Sequence, residues 1–452
     1  MNCKALVVIG VTTVFLSQPS SAQETTPQPA ERPEKADTTK KEPEKTDTTT
    51  KEASSDATKR EWRLSWENRP SVRYGDLVRI DVRARFIGDV RGSDASLEES
   101  DTSRLDIARR RVGATGTIAR VADFQIEREL ASARGWRDVY VNYRGFDQVD
   151  IQGGQFKLPF GLDENTSSAN LDFVYRSRAA ALSPGRDPGI MAHGRVQALR
   201  YELGVFARDG DNARGNDTQR VSGGWTAAAR LVAQPFRSFT SVLEDFQAGV
   251  AYTSSDVPAG IADLRGDTAF GQPFFRPEFA VQGTRQRVGL EMRWRPGPFS
   301  MQSELVRLSN ERRGQSVEDT DLPPLVATAW YVHGTWLVTG EQKTRGADEP
   351  RRPLFGGGFG SVEIAGRVEA VRLSSIGTGL PSRGPRAETI LPHSDRVVTL
   401  GVSWSPNRWV RVQANLVRDT VSIPAGAFAS GPFVDGTSSP FWSRVVRFRF
   451  AM

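Results

Sequence analysis

The sequence predicts an all-β fold, a 16-stranded antiparallel transmembrane β-barrel with an inward-folded constriction loop, preceded by a disordered tail. Three observations point to it. Apolar and charged residues alternate with a period of two in segment after segment from residue 61 to the last residue. No run of eighteen or more apolar residues follows the N-terminal segment, so any crossing of a bilayer has to be made by strands that close on themselves. Short joins alternate with longer polar ones, as they do between the two rims of a barrel.

Taken in order, residues 1–22 have a basic start at Lys4, an apolar core up to Leu16, and Ser20, Ser21 and Ala22 before Gln23, the pattern of a secretory signal peptide. Its removal takes away Cys3, the only cysteine, so the exported chain has no disulfide and must draw its stability from another source, which a closed hydrogen-bonded barrel supplies. Residues 23–60 contain no aromatic and almost no large aliphatic side chain, with eight basic and nine acidic ones. Such a segment cannot bury enough surface to offset its ordering entropy and reads as a disordered low-complexity tail, a spacer on the periplasmic side.

The domain from 61 to 452 holds the strands, expected near 76–91, 104–119, 121–132, 136–145, 149–160, 187–197, 199–209, 223–236, 245–256, 284–297, 299–312, 325–340, 359–375, 396–407, 409–422 and 441–452. In the first, Val78, Ile80, Val82, Ala84 and Phe86 share one face and Arg79, Asp81, Arg83 and Arg85 the other. The same rhythm, apolar outward and polar inward, places Arg287, Arg293, Arg295, Arg367, Arg411, Arg447 and Arg449 in the lumen, together with the acidic Asp81, Glu291, Glu363 and Glu369. Trp294, Trp330, Trp336, Trp404, Trp409 and Trp442 fall at or near strand ends, where interfacial aromatics belong.

One stretch breaks the rhythm. The strand ending GGQFKLPF runs into 162–185, rich in Ser, Asn, Asp and Arg, a long loop of the kind that is usually functional. We expect it to fold into the pore and narrow it. Lys157, opposite Phe156 and Leu158, is expected in the lumen just below, and Arg176 and Arg178 are expected to pair with Asp163, Glu164 or Asp172 and hold the loop to the wall.

Composition excludes other classes. The net charge is +6, and beyond Arg60 the basic residues are Arg except Lys157 and Lys343, which in an exported chain favours anionic solutes or lipid headgroups over nucleic acid. His193, His333 and His393 are far apart, and His193 and His333, each beside Gly in a strand, read as wall residues. No metal-ligand spacing, nucleophile elbow or phosphate-binding loop is present, so no catalytic, cofactor or metal site is expected.

The stretch GQFKLPFGLDENTSSANLDFVYRS (154–177) resembles the signature region of the phosphate-selective porin O and P family. RRRVGATGTIARVADFQIE (109–127), DVYVNYRG (138–145), ALSPGRDPGIMAHGR (181–195) and ELGVFARDGD (202–211) continue the resemblance in order and spacing, while from 284 onward it is one of rhythm. The resemblance implies a homotrimeric barrel in the outer membrane of a Gram-negative-type bacterium, in contact with its lipid. It also implies passive diffusion of small anions, phosphate or polyphosphate among them, past basic side chains, here mostly Arg. Family members that prefer phosphate rely on pore lysines, where this chain has Arg and an admixture of carboxylates. A general or oligosaccharide-type porin, or a structural barrel tethered to the cell wall through the tail, is therefore the alternative expectation.

Overall fold

Lipid offers the backbone no hydrogen-bond partner, so each strand that crosses it must be paired along both edges. The computed structural model describes residues 61–66, 68–94, 104–131, 135–210, 224–264, 266–276, 278–343, 349–379, 381, 384–427 and 430–452, all within the unit Thr58–Met452. The expected signal peptide (1–22) and tail (23–60) lie outside the described residues.

The strands are β1 (Trp62–Trp66), β2 (Pro70–Tyr74), β3 (Val78–Ser93), β4 (Arg104–Ile118), β5 (Ala122–Glu129), β6 (Trp136–Tyr143), β7 (Asp150–Lys157), β8 (Arg186–Val196), β9 (Leu199–Phe206) and β10 (Thr226–Ala233). They continue with β11 (Gln247–Asp263), β12 (Gly266–Asp267), β13 (Pro273–Phe275), β14 (Glu278–Trp294), β15 (Phe299–Arg312), β16 (Leu322–Leu337), β17 (Ser361–Ser375), β18 (Ile390–Ser405), β19 (Val410–Ile423) and β20 (Thr437–Ala451). Antiparallel pairing joins β3 to β11 in sequence, then β11 to β14, then β14 to β20 in sequence. The circle closes where β20 pairs with β3, from Ser443↔Ser93 to Ala451↔Arg85. All sixteen expected crossings are present, and the barrel is a closed 16-stranded one.

The side-chain alternation is the expected one across most of the wall. Val82, Phe86, Val90, Val288, Leu290, Ile364, Val368, Leu400, Val402, Leu416, Val446 and Phe448 are exposed on the outside, whereas Asp81, Arg85, Arg287, Glu291, Glu363, Arg367, Glu369, Arg411, Arg447 and Arg449 are buried inside. A soluble domain would show the reverse, so the outer surface is built for lipid. At the rim where β3 begins and β20 ends, the indole N–H groups of Trp294, Trp404 and Trp409 donate to the main-chain oxygens of Val242, Phe359 and Asn68, each at 2.8 Å. They anchor that interface as expected, but Trp330 does not, since it faces outward from the middle of β16.

Four departures from the sequence reading have physical causes. A hairpin, β1–β2, precedes the barrel, and β2 pairs with β3 at 78–81, just beyond the end of β20, covering an edge that would otherwise be open. The rim of short turns (119–121, 197–198, 295–298, 406–409) also carries two long connections, 234–246 and 338–360. The strands β11 and β14 run past the expected ends and carry between them a small sheet, β12–β13. Finally, the inward faces of β15 and β16 are apolar in part, with Val306, Leu308, Leu325, Ala327, Ala329 and Tyr331 buried. They are covered by chain instead of water: Phe160 and Leu182, Phe274 and Phe275 beside the β14 residue Phe279, and Phe433 beside the β20 residue Phe441 join them in one hydrophobic cluster inside the barrel.

The lipid face makes a depth-dependent prediction. Leu400→Arg, at mid-height on the outside of β18, should cost about 2–4 kcal/mol, and Ser422→Arg, near the loop end of β19, under about 1 kcal/mol. Urea unfolding from lipid vesicles measures both, and equal penalties would contradict the assignment of this face to lipid.

Candidate functional site

The loop that follows β7 leaves the sheet for local reasons. The Leu158 N–H bonds Gly185 O at 3.1 Å, Pro159 has no N–H to continue the ladder, and Gly161 adopts φ 78°, a conformation that costs glycine little. Two short helices follow, α1 (Leu162–Asn165) and α2 (Arg178–Leu182), the second capped by Ser177, whose hydroxyl accepts the Ala180 N–H at 3.2 Å. Between them the loop crosses the lumen and is fixed to the opposite wall.

The fixings are charged and polar groups of the wall bonded to the loop backbone. Glu304 accepts the N–H groups of Leu162 and Asp163 (2.8 Å for the latter), Asn415 accepts that of Val174 (2.7 Å), and Glu369 that of Arg178 (2.6 Å). In return Arg447 donates to Val174 O (2.7 Å), Arg367 to Tyr175 O (3.0 Å), Gln413 to Leu171 O (3.1 Å), and Arg449 to Ala169 O. Phe160 lies so close to the wall that a side chain at Gly289 would meet its ring at 3.0 Å. Buried backbone groups that would otherwise be orphaned thus find partners across the barrel.

Two further segments enter the barrel. The connection around β12 and β13 brings Asp267 O to the Arg178 guanidinium, the Ala269 N–H to Asp419 at 3.2 Å, and the Phe270 ring to 4.9 Å from Tyr175. From the opposite rim, Lys343 inserts its ammonium between Asp172 of the loop (2.7 Å) and Glu363 of the wall, and Glu363 in turn holds Arg411. His333 is 3.3 Å from Asp172, with its ring against Phe173. It serves the loop anchor, beyond the plain wall position the sequence suggested.

Of the loop residues expected to brace it, Arg176 does so, with Glu164 at 3.5 Å and the main-chain oxygen of Asp163, while Asp163 accepts the Ser177 N–H at 2.7 Å. Arg178 pairs with none of Asp163, Glu164 and Asp172, because at the start of α2 its main-chain N–H is taken by Glu369 and its guanidinium donates to the main-chain oxygen of Asp267. Lys157 lines the open space and lies 3.2 Å from Glu164. Register corrects the side assigned to Phe156. It shares the inward face with Met191, Phe206 and Tyr140, and Lys157 reaches inward because the chain leaves the sheet directly after it.

The loop leaves one side of the lumen open. A cavity of about 820 Å³ lies between it and the β3–β10 wall, lined by twelve basic side chains (eleven Arg and Lys157) against four acidic ones, Glu127, Asp138, Glu164 and Glu202. A second cavity of about 360 Å³ leads toward the rim where the chain ends, and the two share Arg83, Arg85, Arg111, Glu127, Ser167 and Asn170. At this neck Arg85 donates to Ser168 (3.0 Å) and Ser167 (3.2 Å), Arg111 to Glu127 (3.0 Å) and Glu129 (2.9 Å), and Glu127 also faces Arg83 at 4.0 Å.

Of the arginines expected in the lumen, Arg83, Arg85 and Arg293 line the main cavity, Arg449 the second, and Arg295, Arg367 and Arg411 a small space behind the loop. Arg287 and Arg447 face inward but are bonded to Asp209 (3.1 Å) and Asp89 (2.6 Å), and Arg79 is half exposed at the strand's beginning, 3.0 Å from Asp81. The sequence reading missed Arg109, Arg111, Arg137, Arg186, Arg200 and Arg230, which also line the main cavity. Their signal was present in the alternation of β4, β6, β8, β9 and β10, diluted by glycine in β4, β8 and β9 and by register shifts between β3 and β4 and between β5 and β6.

The hold of Lys343 on the loop depends on pH through Asp172. Burial alone would raise the Asp172 carboxyl, but Lys343 and then His333 beside it hold it well below the usual carboxylate range. A carboxyl depressed in the folded state contributes stability above its unfolded value of about 3.9, which is lost only as pH falls through the lower folded value. The loop should therefore stay anchored to well below pH 4. Lys343→Met leaves two carboxylates short of a partner, a loss of about 3–5 kcal/mol. It should lower the urea midpoint and bring loop fluctuations, seen as current noise, to milder acid; unchanged noise and midpoint would refute the anchor.

Comparison with known proteins agrees with this architecture. The profile described as phosphate-selective porin O and P matches residues 80–252 and 267–422. Porin O of Pseudomonas aeruginosa is 24% identical over 342 residues, 67% of this chain and 74% of that protein. Among solved structures, the in-vitro folded OmpT of Vibrio cholerae in its trimer form (TM-score 0.52, 14% identity) and an anion-selective porin from Comamonas acidovorans (TM-score 0.51, 12% identity) each match 83% of this chain and 100% of their own. A barrel with a lipid-facing exterior and a loop-narrowed polar lumen, matched by one family profile over most of its length, is a channel of the outer membrane, and the chain belongs to the phosphate-selective porin O and P family.

Proposed function

We propose that the protein is a passive pore for small anions, with phosphate among its permeants. The observation that carries this reading is the excess of basic over acidic side chains around the main cavity, twelve to four. Fixed charge of one sign in a space walled by low-dielectric protein raises the local concentration of the opposite ion. Guanidinium groups suit oxyanions because they donate in a planar fork. The carboxylates limit how tightly an anion is held. Glu127 sits among Arg83, Arg85 and Arg111, and Glu291 and Glu202 hold Arg230 at 2.7 and 2.9 Å. Binding weak enough to release is what conduction needs.

A general porin without phosphate preference is the second reading, favoured by these same ion pairs, which spread both signs around the lumen. We further propose a homotrimer embedded in outer-membrane lipid, with 1–22 as export signal and 23–60 as a periplasmic tail able to contact the cell wall. The trimer form recorded for the Vibrio cholerae barrel supports the assembly.

In planar bilayers under a salt gradient, the reversal potential should have the anion-selective sign, and a cation-selective sign would overturn the proposal. Glu127→Gln should strengthen the anion preference and Arg85→Gln with Arg111→Gln should weaken it. Phosphate added to chloride should reduce the chloride current if the neck prefers oxyanions; reduction by an uncharged sugar alone would favour the general porin.

A further inference from the structure

The outside of β17–β20 carries a second set of arginines that the pore does not use. Along each of these strands the outward residues form an apolar run that ends in one Arg. On β17 it is Val362, Ile364, Val368 and Ala370, then Arg372. On β18 it is Trp404, Val402, Leu400 and Val398, then Arg396. On β19 it is Val412, Ala414 and Leu416, then Arg418, and on β20 Phe450, Phe448 and Val446, then Arg444. Beyond the Arg the outward positions on β17–β19 are Ser374, Ser394, Thr420 and Ser422, with Pro392 past Ser394 on β18.

Register shows that the four form a row. Arg396 is opposite Ala370 and Thr420, Arg418 opposite Val398 and Trp442, and Arg444 opposite Leu416. Each is therefore displaced by two residues from the next, a diagonal neighbour roughly 7–8 Å away. The displacement runs toward the turn rim, which is the direction that compensates the tilt of the strands, so the row stays near one depth. Depth follows from Val362, at the turn rim. The ten residues to Arg372 span on the order of 33 Å along the strand and about 25 Å of height at a tilt near 40°, the full apolar band of such a barrel. The row thus marks the upper edge of the lipid belt on the loop side.

Among the described residues no carboxylate shares this outward face of β17–β20, and all four arginines are exposed. The Arg418 guanidinium lies 5.7 Å from the centre of the Trp442 ring, which holds it at the interface. Four cations level with headgroups, above an apolar surface that takes acyl chains, complement an anionic amphiphile. We propose that this row binds the phosphate groups of a phosphorylated glycolipid in the leaflet at the loop rim. The proposal rests on the outer-membrane porin reading and names the lipid that the barrel selects.

The test is native mass spectrometry of the folded protein with bisphosphoryl lipid A, with monophosphoryl lipid A, and with inorganic phosphate as competitor. Wild type should retain bisphosphoryl lipid A in preference to the monophosphoryl form, and excess inorganic phosphate should not displace it, because free phosphate lacks acyl chains. The variant R372Q/R396Q/R418Q/R444Q should bind at least tenfold more weakly, while the fourfold Lys variant keeps most of the affinity. Single-channel conductance and reversal potential should not change, so loss of the porin reading would show separately, as absent conductance in wild type. If the Gln variant does not assemble, R418Q/R444Q should still weaken binding several-fold. Equal retention of the lipid by wild type and Gln variants, displacement by inorganic phosphate, or a changed number of chains per complex without any change in lipid binding would each overturn the proposal, the last by making the row a subunit contact.

Discussion

Closure of the sheet between β20 and β3 is the constraint on which the rest of the molecule depends. An unpaired strand edge in hydrocarbon leaves a row of N–H and C=O groups without partners, at several kcal/mol each. The chain meets this by bringing its last strand against its first barrel strand, with Met452 bonded to Ala84 in both directions, at 3.0 and 3.2 Å. The N-terminal hairpin then takes over the edge of β3 where β20 has ended. Once the circle is closed, the outward face has to be apolar, and the inward face is released for other uses.

Those uses are set by size. Eight strands enclose a space that side chains can fill, whereas sixteen leave a channel. Here the chain fills part of that channel with its own loops, and each inserted segment brings backbone polar groups that need partners. The wall supplies them with Glu304, Glu369, Asn415, Gln413, Arg367, Arg447 and Arg449, which explains why so many charged residues are buried inside the barrel. Much of the inward charge therefore serves structure, and the charge that faces open space is concentrated on the β3–β10 side.

The two sets of arginines follow one electrostatic logic at two dielectric boundaries. Inside, they line water enclosed by protein, where carboxylates such as Glu127 moderate them. Outside, the row on β17–β20 stands where hydrocarbon gives way to headgroups and has no carboxylate on its own face among the described residues. An Arg at mid-belt would be expelled by its desolvation cost, so its position on the outer face is itself a record of depth.

The barrel was legible in the sequence because period-two alternation and the bilayer thickness are local and one-dimensional. Val78–Ser93, Glu278–Trp294 and Thr437–Ala451 each carry the signal within one strand. The inward turn of the loop after β7 was legible from Pro159, Gly161 and the polar run that follows. What the loop touches was not, since Glu304, Lys343 and Asn415 lie far from it along the chain and meet it only through the closed sheet. The same holds for Arg178, assigned to its own loop by proximity in sequence and taken by Glu369 and Asp267 instead. Alternation also could not separate an inward Arg that lines the pore, such as Arg83, from one consumed by a neighbour, such as Arg447. The sequence by itself determined which segments cross the membrane and, over most of the wall, which side each residue faces, because pleat and hydrophobicity act residue by residue; the side of Phe156 beside the loop, and which inward charges meet solute, were decided only by tertiary structure, because these depend on where the chain leaves the sheet and where the inserted loops come to rest.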